Sequence, residues 1–184
     1  MPSEAYYRAG LEASDQGRYL EAIAEFERAL VVDPTSADAV GFLGNAYWIA
    51  GQFEKSLEYF DKATRLGPND PNLYTWYQGK ARAHFGLKNY DQAIEWSRRT
   101  IAINRSRDAT SQERLIAALA LAGHDAEAHE ALQVYLALPG VSKTIAANRA
   151  AANARFPNQN PNPRFLDHLD RFYEGLRKAG MPEE

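Results

Sequence analysis

An all-helical solenoid of stacked antiparallel helix pairs, closed by a C-terminal capping helix, is the fold class this sequence predicts. Three observations carry the prediction. A pattern of small and aromatic residues recurs at a fixed offset, glycine and proline punctuate each recurrence at the same places, and the period-2 alternation of strands is missing. Displaced by 34 positions, Gly10 meets Gly44, Gly17 meets Gly51, Tyr19 meets Phe53, Phe26 meets Phe60, Ala29 meets Ala63 and Pro34 meets Pro68. Short apolar runs such as Ala29-Leu30-Val31-Val32 sit at the end of a helical pattern rather than in a strand.

Each recurring residue has a physical task. Gly10 and Gly44 fall inside helices, where glycine costs about 1 kcal/mol against alanine. Close approach of the second helix of each pair is the expected compensation. Gly17 and Gly51 fall between paired helices, where a left-handed C-cap suits glycine. Ala22, Phe26 and Ala29 in the first unit, and Phe60 and Ala63 in the second, mark one face of the second helix. Pro34 and Pro68 end it, since proline cannot continue a helix.

The third unit is displaced by 37 instead of 34, so that Tyr90 and Ala93 take the places of Phe53 and Ser56. The extra residues lie in Gly67-Pro68-Asn69-Asp70-Pro71-Asn72. Asp70 followed by Pro71 reads as N-cap and first helical position, which predicts a helix from about 71 to 87, a turn longer than its predecessors. A weaker fourth unit has Gly123 in its turn and Ala128 in the place of Ala93, with Leu115, Leu119, Leu132 and Tyr135 continuing the apolar faces. The expected division is one domain over 1–184, with repeat units at about 3–36, 37–70, 74–107 and 109–139. An extra helix at 141–153 and a polar, proline-rich loop at 154–162 follow. The last helix, 163–180, has Asn162 as N-cap, Pro163 at its first position and Gly180 with Pro182 as its stop. Its stripe Phe165, Leu169, Phe172, Leu176 is read as the cover for the face that the final repeat would leave open.

The 34-residue period with this small/aromatic pattern resembles the tetratricopeptide repeat (TPR), a helix–turn–helix unit. A narrower resemblance rests on Arg65-Leu66-Gly67-Pro68-Asn69-Asp70-Pro71, on Trp76 and Ala83-His84-Phe85, and on the run Leu115-Ile116-Ala117-Ala118-Leu119-Ala120-Leu121-Ala122-Gly123. It is carried most distinctively by the ending Gly175-Leu176-Arg177-Lys178-Ala179-Gly180-Met181-Pro182-Glu183. Together these resemble the C-terminal TPR region of bacterial class III adenylate or guanylate cyclase-type proteins and of their winged-helix regulatory relatives, over about residues 37–184. The resemblance implies a sensory or interaction region attached to an output domain. It does not imply cyclase activity here, since that needs an α/β domain carrying metal-binding aspartates.

The bulk chemistry narrows the function. A net charge of −3 offers no excess of cations for nucleic acid or for an anionic membrane surface. The absence of cysteine excludes disulfide and thiolate chemistry. No apolar run approaches a membrane span or a signal peptide, and the expected location is the cytoplasm. Helical pattern begins almost at once, which fits a domain excised from a longer chain. No Gly-x-Ser-x-Gly elbow is present. Gly79-Lys80 lacks the upstream glycine of a P-loop. His124 and His129 are five apart and splay around a helix, and His84, in the place of Tyr47, reads as a packing residue. No cofactor, metal or catalytic residue is therefore expected, and the chain is not expected to be an enzyme. Arg98, Arg99, Arg105 and Arg107 read as cations at a helix end and in a solvated loop.

What remains is a binding module. The first helix of each stacked pair lines the concave side of such arrays, and its helical spacing selects Tyr7, Leu11, Asn45, Trp48, Gln78 and Arg82 as groove residues for a protein or peptide segment. The aromatics Tyr7, Trp48 and Trp76 also fit inter-repeat packing. Co-chaperone TPRs hold an acidic peptide end with a clamp of lysines, asparagines and an arginine. The matching positions here are Tyr7, Leu11, Phe42, Thr75 and Gly79, none of them cationic, so a chaperone-tail carboxylate clamp is not expected. The alternatives are a small-ligand sensor of a signalling protein and an accessory part of a nucleotide cyclase. Gly44→Leu tests the close-packing premise. It should destabilise the fold by about 1–3 kcal/mol, as overpacking does, read as a lower denaturation midpoint at unchanged m-value. A raised midpoint would make Gly44 a mere helix penalty.

Overall fold

The computed structural model describes residues 2–103, 109–155 and 162–184. The all-helical expectation is borne out: among the described residues there are ten α-helices and no strand. They are α1 (Pro2–Asp15), α2 (Tyr19–Val32), α3 (Ala37–Ile49), α4 (Phe53–Leu66), α5 (Leu73–Gly86), α6 (Tyr90–Ile103), α7 (Ala109–Ala122), α8 (Asp125–Leu136), α9 (Ile145–Arg155) and α10 (Pro163–Lys178). The sequence places an extra helix from 141. The observed α9 begins at Ile145, where its first free N–H groups are taken by the chain's tail: Ile145 and Ala146 donate to the carbonyls of Pro182 and Glu183 at 2.8 and 2.9 Å. Most of the loop at 154–162, and Arg105 and Arg107, lie outside the described residues.

Consecutive helices α1 to α8 pack against one another as antiparallel neighbours. The first helices of the pairs also touch in succession, α1 to α3, α3 to α5 and α5 to α7, whereas the second helices make no comparable contacts. The array therefore curves with α1, α3, α5 and α7 on its inner side.

The aromatic residues of the second helices fill the space that glycine leaves. Phe26 and Phe60 are fully buried. A Cβ built on Gly10 would meet the Phe26 ring at 2.6 Å, and one on Gly44 would meet the Phe60 ring at 3.2 Å. Trp76, which the sequence leaves between groove and packing, is fully buried edge-on to Phe42 at 5.6 Å and beside Phe60. Tyr7 packs between Phe26 and Phe42 at 6.0 and 5.9 Å. Ala22, Ala29, Ala63, Ala93 and Ala128 are buried, as is Tyr47, whose hydroxyl donates to Glu27 at 2.7 Å.

One expectation about the third unit is overturned. Its first helix does not start at Pro71 and is no longer than its neighbours: α5 and α4 both have 14 residues. Asp70 instead accepts from the backbone N–H of Asn72 at 2.7 Å, and the Asn72 amide reaches across to Asp38 at 3.0 Å. The aspartate thus holds a turn, an alternative to N-capping that its short side chain allows, and the three extra residues stay in the linker.

The four turns between paired helices share one geometry. In each, the residue after the turn donates to a carbonyl five positions back: Arg18 to Ala13, Gln52 to Tyr47, Asn89 to His84 and His124 to Leu119. This wrap requires positive φ at the preceding residue. Gly17, Gly51 and Gly123 supply it at 74, 73 and 87°, but in the third unit the residue is Lys88, at 63°. A left-handed non-glycine residue costs about 1–2 kcal/mol, and Lys88 is exposed. Lys88→Gly should therefore raise stability by about 1 kcal/mol, visible as a higher melting temperature with an unchanged far-ultraviolet spectrum. A lowered one would show that the Lys88 side chain contributes more than the strain costs.

Candidate functional site

The inner side of the array is already occupied. Helix α10 packs mainly on α7, with further contacts on α5 and α9, and its first turns reach back to the end of α3. It therefore covers the fourth unit, as a cap should, and also lies across the inner helices of three units. Its apolar stripe places Phe165, Phe172 and Leu176 in the interior with Leu169 half-buried. Gly175 lets it close on α7, where a Cβ would stand 2.6 Å from the Ala117 carbonyl oxygen.

The polar contacts of α10 recur every seven residues. Arg164 makes a two-pronged ion pair with Glu54 at 2.8 and 3.1 Å, in the second unit. Arg171 donates to the Phe85 and Gly86 carbonyls, both at 3.1 Å, at the end of α5. Lys178 donates to the Ala120 carbonyl at 2.7 Å, at the end of α7. The last two add a side-chain donor to carbonyls in the last turn of a helix, of which Phe85 and Ala120 also accept from the turn backbone, and place a cation on its negative end. Seven residues of α-helix rise about 10.5 Å, close to the 8–10 Å between packed helices. One heptad of α10 thus steps one repeat unit.

The expected groove residues divide accordingly. Asn45, Trp48 and Arg82 come together: the Arg82 guanidinium lies 4.6 Å over the Trp48 ring and donates to Asn45 at 2.6 Å. Gln78 reaches Ser111 of the next inner helix at 3.4 Å. Tyr7 and Leu11 belong instead to the packing around Phe26 and Phe42. Trp48 is only 4% exposed, because Phe165 and His168 of α10 meet its ring edge-on at 5.1 and 5.3 Å.

Two residues central to this site carry no signal in the repeat pattern. His168 is fully buried, ringed by Trp48, Phe53, Phe85 and Phe165. Arg114 of α7 is buried between the rings of Phe85 and Phe172 at 5.0 and 4.6 Å, with its Nη1 3.3 Å from His168 Nε2. An arginine can only donate, so His168 Nε2 accepts and the imidazole is neutral. Spacing could have exposed Arg114: it sits three and four positions from Ser111, Ala117 and Ala118, all buried.

Two tetratricopeptide-repeat profiles match, over residues 7–71 and 76–107, together just over half of the chain. The chain belongs to the tetratricopeptide-repeat family. Among curated proteins it is similar to Ycf3, a photosystem I assembly protein, of Synechococcus sp., with 37% identity over 70 residues, 36% of this chain and 40% of that protein. The Hsp70-Hsp90 organising protein of Plasmodium falciparum is 33% identical over 52 residues, 28% of this chain and 9% of that protein. The chain spans less than half the length of either. Two solved structures share the fold at 19% identity: YrrB, TM-score 0.64 over 95% of this chain and 88% of that one, and MamA, TM-score 0.67 over 96% and 93%. No helix of the described residues is long and apolar enough to cross a membrane.

Burial holds the folded-state pKa of His168 well below 6.5, reinforced by Arg114, Arg171 and Arg82. Burial also lowers that of the half-buried His84. A base with a depressed folded pKa contributes stability that is full above its unfolded value and lost as pH falls below it, because only the unfolded chain takes up the proton. Below pH 6.5 the unfolding free energy should fall, with His168 alone contributing up to about 1.4 kcal/mol per pH unit. Denaturant titrations between pH 8 and 5 should show this decline, and His168→Gln should make it shallower. An equal slope in the variant would mean that His168 is not neutral and buried.

Proposed function

We propose that the chain is a protein-interaction module whose inner groove receives an amphipathic helix, and that α10 stands in this structure where a partner helix would lie. The observation that supports this is the heptad register of α10 on three successive units. Helix-in-groove recognition needs apolar anchors at helical spacing, and Phe165, His168 and Phe172 provide them on Trp48, Phe53 and Phe85. The groove's own contact set would be Asn45, Trp48, Gln78 and Arg82. The partner is a helical segment with an aromatic residue and a neighbouring cation every seven positions, rather than the extended peptide that the amide-rich set alone suggests. YrrB is reported as a TPR protein with an unusual peptide-binding site, and Ycf3 and the Hsp70-Hsp90 organising protein carry assembly and organising names. All of these accord with a protein partner. The chaperone-clamp positions hold no cation, so a free acidic tail is not the ligand.

The regulated output, a linked or separate signalling protein, enters this reading through the resemblance to cyclase-type and winged-helix regulators. The stretches carrying that resemblance meet in the structure: Gly175 and Lys178 of the distinctive ending close on Ala117 and Ala120 of the α7 run.

A labelled peptide of residues 162–184 tests the groove on the full chain. In the wild type the tethered α10 competes at millimolar effective concentration, so the peptide should bind weakly. In the Arg164→Ala/Phe165→Ala chain it should bind at least tenfold more tightly, and a peptide carrying Arg171→Glu should lose that gain. A helical double variant that binds no peptide would remove the groove from consideration.

A further inference from the structure

Behind α10 lies a cavity of about 270 Å³, walled by the inner helices α5 and α7, by α9 and by α10, with Trp48, Arg114, Asn148, Ala152, Phe172 and Tyr173 among its lining residues. At roughly 30 Å³ per water, it would take about nine waters, or one small organic molecule. Its walls carry two unsatisfied donors. The Nε of Arg114 and the indole Nε1 of Trp48 are both buried without a hydrogen-bond acceptor. The residues themselves are 6% and 4% exposed.

The charge balance points the same way. Among the described residues no carboxylate stands within 4.0 Å of the Arg114 guanidinium, whose only polar partner is the neutral His168. The adjacent Glu113 is turned to other work, accepting from Tyr135 and, at 2.6 Å, from Asn148. A buried cation held in no close ion pair is costly, and burial drives the Arg114 pKa down to about 10, with the Glu113 charge offsetting only part of the effect. The Glu113 carboxylate also lines the cavity, but with its bonds to Tyr135 and Asn148 it leaves Arg114 Nε and Trp48 Nε1 without an acceptor.

We propose that this cavity binds a small organic carboxylate with an apolar body. The carboxylate would lie against Arg114, whose planar fork matches its geometry, with the Trp48 N–H as a further donor and the rings of Phe172 and Tyr173 around the apolar part. Because α10 forms one wall, such a ligand binds only the seated form of α10 and holds it in the groove.

The test is a thermal-shift and calorimetric screen of the full chain with benzoate, phenylacetate and short aliphatic carboxylates, against phenylacetamide and inorganic phosphate. The expected result is saturable one-to-one binding of at least one carboxylate, at least tenfold weaker binding of its amide, and none of phosphate. Arg114→Met should abolish binding while melting at the same temperature or higher, since an apolar replacement removes the cost of burying the charge. Ala152→Phe, which fills the cavity and leaves Arg114 in place, should abolish it independently and decides the matter where Arg114→Met does not fold. No binding of any carboxylate, equal stabilisation by phosphate, or binding that persists in Ala152→Phe would overturn the proposal.

Discussion

The constraint on which the rest of this structure depends is the match between two periods. Helix pairs stack at the distance set by their side chains, about 8–10 Å, and between the second and third units that distance is fixed by glycines facing rings of the neighbouring unit: Gly41 on Trp76, Gly79 on Phe60 and Gly86 on Phe53. A straight helix laid along the inner side advances about 10.5 Å in seven residues. A chain with cations and aromatics seven apart can therefore make the same contact in each unit. Arg171 and Lys178 do so at the carbonyls ending α5 and α7, Phe165 and Phe172 do so on Trp48 and Phe85, and Arg164 keeps the step with an ion pair to Glu54 instead. Were the units spaced by bulkier contacts, the second and third cations would miss their carbonyls.

This explains how much was legible in the sequence. The helix pairs were, because each carries its own signals: a face of small and aromatic residues, a left-handed turn and a stop. The turn signal failed only at Lys88, where the backbone takes the left-handed form without glycine, yet the aromatic pattern around Tyr90 and Ala93 still placed the helix. Asp70-Pro71 misled for the opposite reason. The same residue types serve a helix start and a linker turn, and only the bond from the neighbouring Asn72 to Asp38, 34 positions away, decides between them.

The candidate site was half legible. Helical spacing selected Asn45, Trp48, Gln78 and Arg82, and these do lie on the inner helices, the first two meeting Arg82 while Gln78 reaches Ser111. It could not say that Phe165 and His168 would come over Trp48, since that contact joins residues more than a hundred positions apart. The stripe on α10 read as a cover for the fourth unit, which it is, but the seven-residue recurrence of Arg164, Arg171 and Lys178 was the sign that it reaches further. A cap needs apolar residues alone, whereas a helix that addresses several repeats needs a polar contact in each.

The polar groups beneath α10 give its seating a particular character. Apolar burial on α7, through Leu176 and Gly175, would fasten the C-terminal half under most conditions. The N-terminal half rests on Phe165 against Trp48, on a neutral imidazole beside a buried arginine, and on an exposed ion pair to Glu54, whose solvent-facing charges contribute little. Protonation of His168 would place a further cation beside Arg114, where Arg171 and Arg82 already act against it. The two halves of α10 thus differ in how firmly they hold, and the weaker half is the one over Trp48 and Arg82. Any exchange of this helix for another would start there, at the second unit, and proceed toward α7 one heptad at a time.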